Sequence, residues 1–294
     1  MNANDVRPAG LLVRAARHPL AVLLWSVLAT VTLVVSLSLA MSGALGPVGD
    51  SPLAGSLVQA PAATLALWLV SRWIERRSPS EVGFARDHAV RQASLGVLAG
   101  VALFSLVMGL LALGGAYRAQ WDPAPFGTLL ASVVMLMLAA WFEEVFFRAI
   151  LFRCIEGWAG SGAALLVSSA LFGLAHFDNP SAGWLPALAI AIEAGVMLGA
   201  VWMWTRSLWA VWGLHFAWNW VQGGLFGAPV SGLEIQGLFR ATLSGDPLWT
   251  GGAFGPEAGL VAVLVCGTAG VLALAHVIRR GGWRPCPWRV FRNA

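Results

Sequence analysis

Lysine is absent from this 294-residue chain: all 18 basic residues are arginine, and Asp and Glu together number 14. Charged residues make up only 11% against 58% hydrophobic, with a mean hydropathy of +0.75. So little polar surface cannot cover a water-soluble globule of this length, which excludes a soluble enzyme or binding module. Cysteine is scarce too. Cys154, Cys266 and Cys286 are widely spaced, odd in number and without a C-x-x-C arrangement, so neither a disulfide framework nor a thiolate metal site is indicated. The net charge of +4 does not indicate a nucleic-acid partner, because the arginines stand at the ends of apolar runs, where anionic lipid headgroups are the counterions. No internal repeat is evident, which argues against transporter folds built from repeated halves. Neither terminus carries a lipidation signal.

What is present is a series of apolar runs, each long enough to cross about 30 Å of hydrocarbon. They predict an all-α, polytopic transmembrane bundle of about eight helices, near 20–40, 53–73, 92–113, 126–153, 160–176, 185–204, 208–226 and 256–278. The first run follows Arg14 and Arg17 but is longer than a signal-peptide core, and reads as a retained anchor. Fifteen arginines (7, 14, 17, 72, 76, 77, 86, 91, 153, 206, 279, 280, 284, 289 and 292) fall on one side of this topology, with Arg118 and Arg240 on the other. The positive-inside rule then puts both termini in the cytoplasm. Residues 1–294 read as one integral membrane domain, multi-pass in the cell membrane. The arginine, Ala, Gly and Trp usage suggests a high-G+C bacterium, hence an inner membrane. Trp202, Trp204, Trp209 and Trp212 read as an interfacial aromatic belt, and 227–255 as a Gly-rich outer loop.

Ionisable groups inside a membrane cost several kcal/mol each, so Glu143, Glu144, Arg148, His176, Glu193, His215 and Asn219 need a reason. Glu144 and Arg148 are spaced i, i+4 with the acid first, the favourable order for an ion pair along one helix face. Glu143 is rotated about 100° from Glu144 and is left without a partner on its own helix. A free carboxylate in a low-dielectric site suits a general base. The connection from Gly157 to Gly160 makes a hairpin, which sets Glu143 and His176 about 21 and 24 Å from the turn, at similar depth. His215 and Asn219, again i, i+4, place an imidazole and a carboxamide on one face. Together these groups could add water to an amide. Glu193 is mid-membrane with no partner on its helix and no assigned role. His18, His88 and His276 sit at or beyond helix ends.

Three short motifs stand in order: Glu143-Glu144-Val145-Phe146-Phe147-Arg148, Phe172-Gly173-Leu174-Ala175-His176 and His215-Phe216-Ala217-Trp218-Asn219. They resemble the E-E-x-x-x-R, F-x-x-x-H and H-x-x-x-N motifs of the CAAX protease and bacteriocin-processing (CPBP, or Abi) family of intramembrane proteases, which includes the type II CAAX prenyl endopeptidases. The resemblance covers roughly 126–226. It implies an intramembrane endopeptidase in which Glu143 activates water with help from His176, His215 and Asn219 stabilise the oxyanion, and Glu144 with Arg148 holds the geometry. The family is described both as metal-dependent and as glutamate-dependent. No H-E-x-x-H helix is present. A water activated without metal is favoured; if a zinc ion were present, Glu143, His176 and His215 would be its ligands. The implied partners are membrane lipids and a peptide or protein substrate near the membrane. Two rival readings are a non-catalytic bacteriocin-immunity or membrane scaffold and a proton-coupled transporter.

Overall fold

The computed structural model describes residues 10–46, 49 and 51–287. Arg7, Arg289 and Arg292, which enter the charge bias, lie outside the described residues. Seven helices dominate: α1 (Pro19–Leu45), α2 (Pro52–Glu75), α3 (Ala89–Leu113), α4 (Phe126–Leu174), α5 (Trp184–Thr205), α6 (Leu208–Asn219) and α7 (Leu260–Arg279). All but α6 are long and apolar enough to cross a membrane. Sequence sets the ends. Ser51 accepts a hydrogen bond from Ala54 N–H with Pro52 at the first helical position, and Pro19 follows His18 in the same way.

A straight α4 of 49 residues would be about 74 Å long, more than twice the hydrocarbon thickness. It folds back at Gly160, whose φ of 82° and ψ of 173° leave the helical region. The two arms are antiparallel: the Arg148 guanidinium lies 4.7 Å over the Phe172 ring, and Phe147 and Phe172 are 5.0 Å apart. The chain is thus helical in each of the eight expected places. The second arm is shorter than expected. It stops at Leu174, so His176 lies on the turn beyond rather than in the helix.

Three departures from the simple bundle position the site. First, π-helical turns interrupt the regular helices at Val70–Glu75, Val145–Phe152, Ala191–Val196 and Trp220–Leu225. Their wider i→i+5 bonding rotates everything downstream. Second, an antiparallel pair joins β1 (Tyr117–Trp121) to β2 (Phe239–Leu243), with Tyr117 opposite Leu243 and Trp121 opposite Phe239. The expected Gly-rich loop is therefore anchored at one strand. Third, α3 and α6 touch almost backbone to backbone. A Cβ on Gly96 would stand 2.3 Å from Ala210 O, one on Gly100 2.4 Å from Leu214 O, and one on Gly213 2.4 Å from Ala93 O. Small residues allow this approach, the usual route to tight helix packing in a membrane.

The main buried cluster runs from Ala63 to Val277 and draws on α2 through α7. The expected tryptophan belt is only partly realised. Trp204 is exposed, but Trp202 is buried, and Trp209 and Trp212 turn inward to meet Trp141 at 5.3 and 5.5 Å. These rings, with Phe84 and Trp68, line a cavity of about 840 Å³ whose rim carries Arg72, Arg77 and Arg86.

Candidate active site

His215 is the junction of the site. It sits in α6, and its Nδ1 lies 2.8 Å from Glu144 Oε1, while Nε2 lies 3.8 Å from Glu143 Oε2. A carboxylate can only accept, so Glu144 fixes a proton on Nδ1 and sets the ring orientation. The same Glu144 holds Arg148, with Nε 3.2 Å from Oε2 and both side chains fully buried. The expected ion pair is present, and it is also the support of the imidazole. Arg148 reaches further, donating from Nη2 to Ala194 O on the π turn of α5 at 3.4 Å.

Phe172 explains the aromatic position of its motif. It is 1% exposed and lies beneath Arg148 at 4.7 Å, with His176 at 5.1 Å and His215 at 5.9 Å between ring centroids. A ring face against a desolvated guanidinium contributes roughly 2 kcal/mol. His176 Nδ1 donates to Phe172 O at 2.8 Å. Since a carbonyl only accepts, Nδ1 carries a proton.

His176, His215 and Asn219 line one cavity of about 20 Å³, room for a single water. Glu143 meets this group through His215, and its Oε2 has no hydrogen-bond partner among the described residues. His176, His215 and Asn219, from the turn after α4 and from α6, thus share one small space, while Glu143 on α4 reaches the His215 imidazole without lining that space. The possible zinc set is less well assembled. Among the described residues no three His, Cys, Asp or Glu side chains are grouped to hold a metal ion.

The structure adds residues that motif reasoning passes over. Glu193, Ser231 and Glu257 line the same cavity, and Gln222 donates to Glu257. Gln222 carries a legible signal, being a polar residue one turn beyond Asn219 in an apolar helix. Ser231 does not. It belongs to the long loop, and only tertiary folding brings it inward.

Residues 125–221 match the protein family described as Type II CAAX prenyl endopeptidase Rce1-like. The resemblance to the CAAX proteases holds. The match covers about a third of the chain and contains Glu143, Glu144, Arg148, His176, His215 and Asn219. Among curated proteins compared over the whole chain, none matches significantly. The CAAX-protease-like segment thus lies within a multi-pass, all-helical membrane protein whose first three helices and last helix fall outside the matched residues.

Proposed function

We propose that the protein is an intramembrane endopeptidase that hydrolyses peptide bonds with a water activated by Glu143. One observation carries the reading: a single imidazole, His215, is held by Glu144 and faces Glu143, beside a water-sized space shared with His176 and Asn219. Glu143 takes a proton from the water as oxygen attacks the scissile carbonyl. His176, its Nδ1 proton donated to Phe172 O, accepts a hydrogen bond from that water at Nε2 and keeps it aligned. The negative charge that develops on the carbonyl oxygen is met by the Asn219 carboxamide and by Nε2–H of His215 in its doubly protonated form, Nδ1–H being committed to Glu144. One such donor typically contributes about 3 to 4 kcal/mol of barrier lowering. Glu144 and Arg148 do not touch the reacting atoms; they hold His215 in register.

The larger aromatic cavity suits the apolar part of a membrane-borne substrate, since it is lined by Trp141, two residues before Glu143 in sequence, and opens among arginines that would meet a carboxylate. We read the chain as one membrane domain with eight crossings, the two arms of α4 counting separately and α6 crossing together with its π turn to Leu225, and with both termini on the cytoplasmic side of a bacterial inner membrane. Water activation needs no resident metal in this scheme, because Glu143 Oε2 is engaged in no hydrogen bond among the described residues and Glu144 fixes the imidazole.

The test is cleavage of a quenched-fluorescent prenylated Cys-a-a-X peptide, the substrate class named by the family description, by full-length protein in detergent. Glu143→Gln should abolish turnover, and incubation with a chelator should leave the wild-type rate unchanged. Undiminished cleavage by Glu143→Gln refutes the assigned base. Loss of activity on chelation, restored by zinc, refutes the metal-free scheme.

A further inference from the structure

Glu193 takes no part in water activation or oxyanion binding, yet it lies in the same cavity. It is 1% exposed, sits on the π turn Ala191–Val196 of α5, and its Oε2 has no hydrogen-bond partner among the described residues. It lines the water-sized space together with His176, His215 and Asn219. Glu257 lines the same space from a different element, the turn Pro256–Ala258 ahead of α7, and is 3% exposed. The two acids are unequally supplied. Ser231 N–H donates to Oε1 of Glu257 and the Gln222 amide to Oε2, the donors a carboxylate needs. Glu193 Oε2 has none.

Two carboxylates facing one small space do not both ionise cheaply, and an unpartnered charge at this depth costs several kcal/mol. Of the pair, Glu193 is therefore the one furnished to keep a proton and to donate it. Burial also pushes the Glu257 carboxyl up to about 7 against the hydrogen bonds it accepts, so the neighbouring acid exchanges protons near neutrality.

We propose that Glu193 is a second catalytic carboxyl, the acid that protonates the leaving amine; this rests on the peptidase reading of the site. When the tetrahedral intermediate collapses, the C–N bond breaks and its electron pair stays on nitrogen, which takes the Glu193 proton. The proton that Glu143 removed from water then passes through the cavity to the Glu193 carboxylate. One water has been added across the amide, and both acids return to their starting states.

The experiment compares two substrates: the prenylated peptide above and its analogue with a thioester at the scissile bond. A thiolate departs without being protonated, whereas an amine does not. Glu193→Gln should slow the amide by roughly 10²- to 10⁴-fold while changing the thioester by less than about threefold, since only the proton-transfer contribution is removed. Glu143→Gln should slow both. Retained thioester cleavage also reports that the Glu193→Gln protein is folded. Equal losses on both substrates, or undiminished amide cleavage, overturn the Glu193 assignment while the peptidase reading stands. If wild-type protein cleaves neither substrate, the peptidase reading itself falls.

Discussion

At the scale of single residues, Glu144 does two tasks that the sequence shows as one. Its i, i+4 spacing to Arg148 is legible, because helix geometry alone brings the two together. Its hold on His215 spans 71 residues of sequence and depends on how α4 and α6 pack. Removing the charge should strand a buried guanidinium. Glu144→Gln is expected to cost about 3 to 5 kcal/mol of stability, read as a lower thermal unfolding midpoint in detergent. Replacing both partners, Glu144→Leu with Arg148→Met, should recover much of that stability and none of the activity, because His215 Nδ1 still lacks its acceptor. Asn219→Ala tests the oxyanion role separately. It should lower kcat by 10²- to 10³-fold, about 3 to 4 kcal/mol, with little change in KM.

The elements decide whether these residues meet. Helical periodicity predicts which side chains share a face, but the π turns at Val145–Phe152, Ala191–Val196 and Trp220–Leu225 alter the phase just where the site is built. No local pattern announces them; they arise where packing favours one extra residue in a turn. The hairpin of α4 is legible from glycine spacing, and its pivot is a single residue. Gly160 combines φ of 82° with contact to the C-terminal segment, where an added Cβ would lie 2.8 Å from Cys286 N. That segment is tied down by Arg284, whose N–H donates to Ser161 Oγ and whose carbonyl accepts from Ser161 N–H. Gly160→Ala should therefore lower the unfolding midpoint and release the tail to protease. Gly100→Ala, far from any reacting group, should push α6 from α3, since its Cβ would fall 2.4 Å from Leu214 O. Displacing His215 this way should reduce kcat more than it raises KM.

Over the whole molecule, the buried Glu257 links the outer loop, α7 and the cavity, and gives stability a pH dependence. Burial raises this carboxyl from its ordinary 4.5 to about 7, so the folded state binds the proton more tightly than the unfolded state. The resulting stabilisation is complete below pH about 4.5 and is lost as the pH climbs to about 7, on the order of 3 kcal/mol in all. Wild-type protein should accordingly unfold at a lower temperature at pH 8 than at pH 5, and Glu257→Gln should flatten that difference. A slope identical in both proteins would show that the group does not titrate in this range.

Composition and run length by themselves determined that the chain is a multi-pass helical membrane protein, because a backbone in hydrocarbon must satisfy its own hydrogen bonds. Three motifs also singled out Glu143, Glu144, Arg148, His176, His215 and Asn219, since polar groups are costly in a membrane and call for a reason. Only the tertiary structure decided that His215 is their meeting point, that Phe172 lies beneath Arg148 and beside both histidines, and that Glu193 and Glu257 face the same space. Those facts depend on contacts between segments distant in sequence and on the phase shifts of π turns, and such contacts are fixed by packing rather than by any local pattern.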